Sequence, residues 1–212
     1  MGLLDILFPK NCNGCKKSGS YFCENCANLA KPHFPQVCPL CERLALDGLK
    51  HTRCKAPFSP NALHAIWAYE DAVKKLIIKL KYRFISDLAD DLASRVVENL
   101  KAYKNVTPDA PVWSSPKHTL VPIPLHWQRK NWRGFNQSEE LGKRIAKKMG
   151  WDFQNLLVRN KNTAQQVGLK EKARQKNIEG AFSLNSDHPI FRNSDNPSSL
   201  TSPIILFDDV WT

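Results

Sequence analysis

Seven cysteines, all within the first 54 residues of a 212-residue chain, carry the most specific chemistry in the sequence. They fall as Cys12-x-x-Cys15, Cys23-x-x-Cys26 and Cys38-x-x-Cys41, with a lone Cys54 preceded by His51 at the spacing a fourth pair would have. A C-x-x-C turn aims two thiolates at one centre, and two such turns complete a tetrahedron, the geometry zinc takes in closed structural sites. Grouping neighbours places Cys12, Cys15, Cys23 and Cys26 around one zinc and Cys38, Cys41, His51 and Cys54 around a second; the spacing alone also fits an interleaved pairing. Residues 10–55 hold few large aliphatic side chains, so the metal is expected to be structural, contributing folding free energy on the order of 10 kcal/mol or more per site. A disulfide framework would want an even cysteine count and an export signal, and a single redox pair would not explain three C-x-x-C turns.

A second feature sits at the other end. The segment PIILFDDVWT, residues 203–212, runs an apolar strand into Asp208 and Asp209. In open α/β sheets ligands gather at the carboxyl ends of strands, where paired carboxylates suit a sugar diol or Mg²⁺. Adjacent buried acids without partners are costly, which weakens the competing structural role of capping a helix after a short turn.

The charge balance supplies the opposite sign. The chain carries a net charge of +11, and between Trp127 and Lys176 there are 13 Lys and Arg against 4 Asp and Glu. Such an excess fits an acidic partner, whether nucleic acid, anionic lipid or a phosphorylated small molecule, with a merely solvated surface as the alternative.

These groups need a scaffold. KAPFSPNAL reads as a Pro-containing connector, HAIWAYE as a strand, and DAVKKLIIKLKY as a helix with Val73, Leu76, Ile77 and Leu80 on its buried face and solvated lysines opposite. A second helix starts at Ser86, with Leu88, Leu92, Val96 and Leu100 as its stripe. The Pro-rich stretch from Val106 to Pro116 reads as a loop, and TLVPIPL as a strand that its prolines end. HWQRKNWRGF reads as a basic loop. A helix then opens on Asn136 and Glu139, a capping-box pattern, and closes on Gly150. Residues 186–202 read as a loop or hairpin edge. Strand, basic loop, helix and a final buried strand make an α/β body with a mainly parallel sheet. The expected domains are a double zinc ribbon at 1–58 and the α/β body at 59–212.

With 42% hydrophobic residues the chain has enough apolar side chain for a core, while its longest apolar stretches fall far short of the roughly 20 residues a spanning helix needs. The start MGLLDILF lacks a basic n-region and a cleavage site, so no membrane insertion and a cytoplasmic location are expected.

IILFDDVWT resembles the opening of the type I phosphoribosyltransferase signature, in which a strand carries an acidic pair into a Thr-Gly-x-Thr loop. Together with the cysteine pairs, VPIPLHWQRKNWRGFNQS and RNKNTAQQVGLKEKARQKNIEGAF, it resembles the ComF family of competence proteins (the ComFC/GntX-like group) over nearly the whole chain. The resemblance implies a phosphoribosyltransferase-like fold that binds phosphoribosyl pyrophosphate with Mg²⁺. Asp208 and Asp209 would hold the ribose hydroxyls as the catalytic acids, Thr212 would open the phosphate loop, and Arg129 and Arg133 would lie on the pyrophosphate side. It also implies a role in natural transformation, assisting imported single-stranded DNA alongside a helicase-like partner.

Because no glycine follows Thr212, the amide cup for a 5′-phosphate is missing from this sequence, which is expected to be truncated, to bind phosphoribosyl pyrophosphate weakly and to show no turnover. Two other functions compete: an active phosphoribosyltransferase with an unknown acceptor, and a zinc-ribbon module that docks protein or DNA on an inert scaffold.

Overall fold

The computed structural model describes residues 9–82, 86–106, 117–163, 171–192 and 202–211. The chain forms two compact units, one from Met1–Leu80, Ile85–Pro116 and Val210–Thr212, the other from Lys81–Phe84 and Lys117–Asp209. The Pro-rich stretch 107–116 and the expected phosphate-loop residue Thr212 lie outside the described residues.

In the first unit, α1 (Glu24–Leu29) and a single 3₁₀ turn (Leu46–Gly48) sit among the cysteine turns, followed by α2 (Asp71–Tyr82), whose last two residues, Lys81 and Tyr82, belong to the second unit, and by α3 (Ser86–Val106). The α2 stripe is as expected, with Val73, Leu76, Ile77 and Leu80 all buried, and Leu88, Leu92, Val96 and Leu100 are buried along α3. α3 also clasps the cysteine region. Asp91 Oδ2 accepts from the Tyr21 backbone N–H at 2.6 Å, Arg95 Nε donates to the Phe22 carbonyl at 3.4 Å, and the Tyr103 hydroxyl donates to Asp47. Phe22 is fully buried, its ring edge-on to Trp67 with centroids 5.6 Å apart. Both helices therefore group with the cysteines, and this unit continues past residue 58.

HAIWAYE is not a strand. It makes a single bridge, Pro32 to Trp67, and its Ala65 is satisfied by a side chain: Gln36 Oε1 accepts from Ala65 N–H at 3.0 Å while Gln36 Nε2 donates to the Ala65 carbonyl at 2.8 Å. A buried glutamine takes the place of a ladder partner.

The second unit is built on a parallel sheet of three strands in the order β2–β1–β5, with β1 (Thr119–Pro122) in the middle, β2 (Asp152–Phe153) and β5 (Ile204–Phe207). All four β1 residues are buried. Thr119 pairs with Ile204 and Pro122 with Phe207, so the carboxyl ends of β1 and β5 lie side by side. α5 (Gln137–Met149) packs on β1 and β2, and Gly142 lets it come close: a Cβ there would stand 2.8 Å from Leu120 Cδ2 and 3.3 Å from the Phe153 ring. Asn136 caps α5, its Oδ1 accepting from Ser138 N–H at 3.1 Å, and Gly150 ends it in the left-handed region at φ 70°.

HWQRKNWRGF, expected as a loop, contains a helix, α4 (Trp127–Arg133). It buries no residue, so it leaves no apolar stripe to read; His126 caps its start and Gly134, at φ 81°, its end. An antiparallel pair that the sequence did not announce joins β3 (Leu157–Arg159) to β4 (Phe182–Leu184), with α6 (Glu171–Ile178) between them and α7 (Pro189–Arg192) after.

Candidate functional site

The cysteine turns converge in the pairing that neighbour grouping gives. Cys12, Cys15, Cys23 and Cys26 form one group and Cys38, Cys41, His51 and Cys54 another, each with its ligand atoms within 4.8 Å of one another. All seven cysteines are free thiols. Cys15 and Cys23 Sγ stand 3.6 Å apart, close to the roughly 3.8 Å edge of a tetrahedron with metal–sulfur bonds of about 2.3 Å. In the second group His51 Nδ1 faces Cys41 Sγ at 3.3 Å and Cys54 Sγ at 3.9 Å. The other ring nitrogen, Nε2, is 2.8 Å from the Leu44 carbonyl, which holds its proton there and leaves Nδ1 to coordinate. Gly14 allows the first group to close, since a Cβ would meet Cys26 Sγ at 2.6 Å.

The electrostatics fit a cation in each group. Burial would raise the Cys12 thiol, but backbone hydrogen bonds from Cys23, Cys15 and Gly14 outweigh it and lower it to about 6. Cys38 falls to about 6 in the same way, burial being opposed by the backbone of His51, Leu40 and Cys41. Burial and the neighbouring thiols then push Cys26 up to about 12, while Cys41 foremost, with burial, pushes Cys54 up to about 11. Backbone dipoles favour thiolates that mutual repulsion forbids, and a bound metal ion resolves that conflict.

In the second unit the sheet register brings Asp208 and Asp209, just past β5, next to α4 and the start of α5. Asp208 Oδ1 accepts from the Ser138 hydroxyl at 2.7 Å and from the Asp209 backbone N–H at 2.9 Å. Asp209 Oδ1 accepts from Gln137 Nε2 at 3.2 Å, and Gln137 Oε1 accepts in turn from Arg133 Nη1 at 2.5 Å. Asp209 Oδ2 takes no well-aligned hydrogen bond from a described residue yet stands 2.7 Å from Lys81 Nζ, an ionic contact. The surrounding protein and the charge of Asp209 push the Asp208 carboxyl up to about 6, against the pull of Ser138, although part of the residue stays open to solvent.

Two guanidiniums face this pair. Arg133 lies over the Tyr82 ring at 5.7 Å, and Arg159 over the Phe182 ring at 5.2 Å. Burial lowers both, with Asp209 opposing at Arg133 and Asp208 opposing at Arg159. Each keeps a buried Nε without a hydrogen-bond partner among the described residues. Arg129 donates to the Thr163 carbonyl and Arg159 to the Thr163 hydroxyl. Arginines stay charged, so two guanidiniums in the field of a pair of carboxylates make a place suited to an anion that also carries hydroxyls or a divalent cation.

Some of the basic stretch is neutralised internally. Lys130 and Lys143 both pair with Glu139, at 2.9 and 2.8 Å, so Glu139 serves them rather than returning to Asn136 as a capping box would. Of the residues singled out from sequence, Arg133 reaches the pair through Gln137, and Arg129 bonds instead to Thr163. Ser138 and Lys81 were not anticipated. Ser138 carries no signal apart from its place in the first turn of α5, and Lys81 has only the signature of a solvated lysine on an amphipathic helix.

Comparison with known proteins agrees with the motifs. The chain is 30% identical over 171 residues to the DNA utilization protein YhgH of Salmonella typhimurium, spanning 76% of this chain and 70% of that protein. It is 27% identical over 190 residues to competence protein F of Haemophilus influenzae, covering 86% and 73%. It is 26% identical over 198 residues to competence protein ComFC of Bacillus subtilis, covering 90% and 72%. The chain belongs to the ComF family of competence proteins. No family model and no solved structure matches it. Among the described residues of this ComF-family chain, no helix is long and apolar enough to cross a membrane.

Proposed function

We propose that this ComF-family protein is a cytoplasmic factor that handles single-stranded DNA in natural transformation, on a phosphoribosyltransferase-like body that binds phosphoribosyl pyrophosphate with Mg²⁺. The observation that carries the ligand reading is the gathering of charge at the end of β5, where Arg133 reaches Asp209 through Gln137 and Arg159 lies in the field of Asp208. The carboxylate side suits a ribose diol and its Mg²⁺, and the guanidinium side suits pyrophosphate. The two cysteine groups would each hold a structural zinc, through four thiolates in the first and through three thiolates and His51 Nδ1 in the second.

The DNA reading draws on the names of the relatives and on α4. Trp127 and Trp132 are 62% and 75% exposed on the helix that also carries Arg129 and Arg133. Exposed aromatic faces beside cations form a stacking surface for unpaired bases. A helicase-like protein would be the partner on the same strand. The test is fluorescence anisotropy with a labelled single strand. Affinity is expected to fall steeply with salt and to drop on joint Arg129→Ala and Arg133→Ala substitution; unchanged affinity would rule this helix out.

A second reading, catalysis of phosphoribosyl transfer, is favoured by the guanidiniums of Arg133 and Arg159 in the field of the acidic pair. It requires the full-length protein to release pyrophosphate and Asp208→Asn to abolish that release.

A further inference from the structure

The acidic pair is not symmetric. The Asp209 side chain is only 4% exposed, and both of its oxygens are engaged, Oδ1 by Gln137 at 3.2 Å and Oδ2 by Lys81 at 2.7 Å. Asp208 is open to solvent, with its Oδ1 held by the Ser138 hydroxyl and the Asp209 backbone N–H. From Asp209 the contacts run on through Gln137 to Arg133, whose guanidinium rests on Tyr82. The consecutive residues Lys81 and Tyr82 thus brace the two ends of one chain of contacts, the acid at one end and the arginine at the other.

We propose that Lys81 is a positioning residue of the ligand site: by neutralising Asp209 it makes that acid a buried support for Gln137 and Arg133, and it leaves Asp208 as the carboxylate of the pair that meets the ligand. A buried carboxylate deprived of its cation must take up a proton or swing toward water. Either response releases Gln137 and with it the placement of Arg133. Lys81 touches no ligand in this arrangement and acts through Asp209. The proposal rests on the phosphoribosyl pyrophosphate reading for the identity of the ligand; the geometry of the pair does not depend on it.

Two measurements on the full-length protein separate these claims. In calorimetric titration with phosphoribosyl pyrophosphate and Mg²⁺, Lys81→Met is expected to weaken binding by about 10- to 100-fold, as loss of a supporting group does. Lys81→Arg should restore most of it. In an Asp209→Asn background, Lys81→Met should change affinity by no more than about twofold, because the two residues act as one unit. Unchanged or tighter binding by Lys81→Met overturns the proposal, the tighter case meaning that Lys81 competes with the ligand. If the wild type binds no phosphoribosyl pyrophosphate, the ligand reading fails, and carbodiimide labelling of carboxyls with glycine ethyl ester decides the role of Lys81. Labelling of Asp208 with Asp209 protected in the wild type and labelled in Lys81→Met upholds the proposal. Equal labelling of both acids in the wild type overturns it.

Discussion

The Ser138 hydroxyl donates to Asp208 Oδ1 at 2.7 Å, tying the first turn of α5 to the carboxyl end of β5. Ser138 is fully buried and its own N–H is held by Asn136, so the hydroxyl is fixed in place. Ser138→Ala removes a hydrogen bond to a charged group and is expected to cost about 1.5–3 kcal/mol. Since Ser138 lowers the Asp208 carboxyl, the same change should raise its midpoint above about 6. Urea denaturation reads the first effect and carboxyl ¹³C NMR titration the second.

Asp208 also shapes the dependence of stability on pH. Its carboxyl moves from an ordinary 3.8 to about 6 in the fold, so the folded protein binds this proton more tightly than the unfolded chain. The stability this brings is complete below about pH 4 and is lost as pH rises through about 6. Asp208→Asn is therefore expected to raise Tm near pH 7.5 and to leave it almost unchanged near pH 4. Thermal scans at the two pH values, without ligand, check the sign.

The parts that were legible in the sequence are those with a local signature. The α2 stripe from Val73 to Leu80, the Asn136 and Gly150 caps of α5 and the β5 strand each announce themselves within a few residues, but β5 is not the buried strand its apolar run suggests, since Ile204 and Leu206 are exposed. The C-x-x-C spacing marks the cysteines as metal ligands but fits two groupings, and the fold brings together the neighbouring turns. What stayed hidden depends on distant partners. α4 is held by its caps and buries no side chain, so no periodicity marks it. HAIWAYE has strand composition, but Gln36 satisfies its Ala65 in place of a strand. Lys81 looks like any lysine of an amphipathic helix until the fold sets Asp209 against it.

Packing of α5 on the sheet rests on Gly142. A Cβ there would meet Leu120, Phe153 and Phe207, of which Leu120 is fully buried and cannot move aside freely. Gly142→Ala is expected to destabilise the protein by about 1–3 kcal/mol through overpacking, despite the better helix propensity of alanine. Chemical denaturation of the variant measures it.

Metal removal should expose the cysteine chemistry. The purified protein is expected to contain two zinc ions by elemental analysis, and chelation should make all seven cysteines reactive to a thiol reagent and lower the helical circular dichroism signal, because α3 is anchored on the cysteine region through Asp91 and Arg95. His51→Ala should release one of the two ions and leave the other, the first group being made of cysteines alone. Acidification should release both, since thiolates and imidazole take up protons in place of metal.

The site at the end of β5 is tested most directly by titrating the full-length protein with phosphoribosyl pyrophosphate, with and without Mg²⁺, beside its Asp208→Asn variant. The expected result is binding that requires Mg²⁺ and falls at least about 100-fold in the variant. Equal binding by wild type and Asp208→Asn, or binding indifferent to Mg²⁺, would contradict the assignment of Asp208 to the ligand.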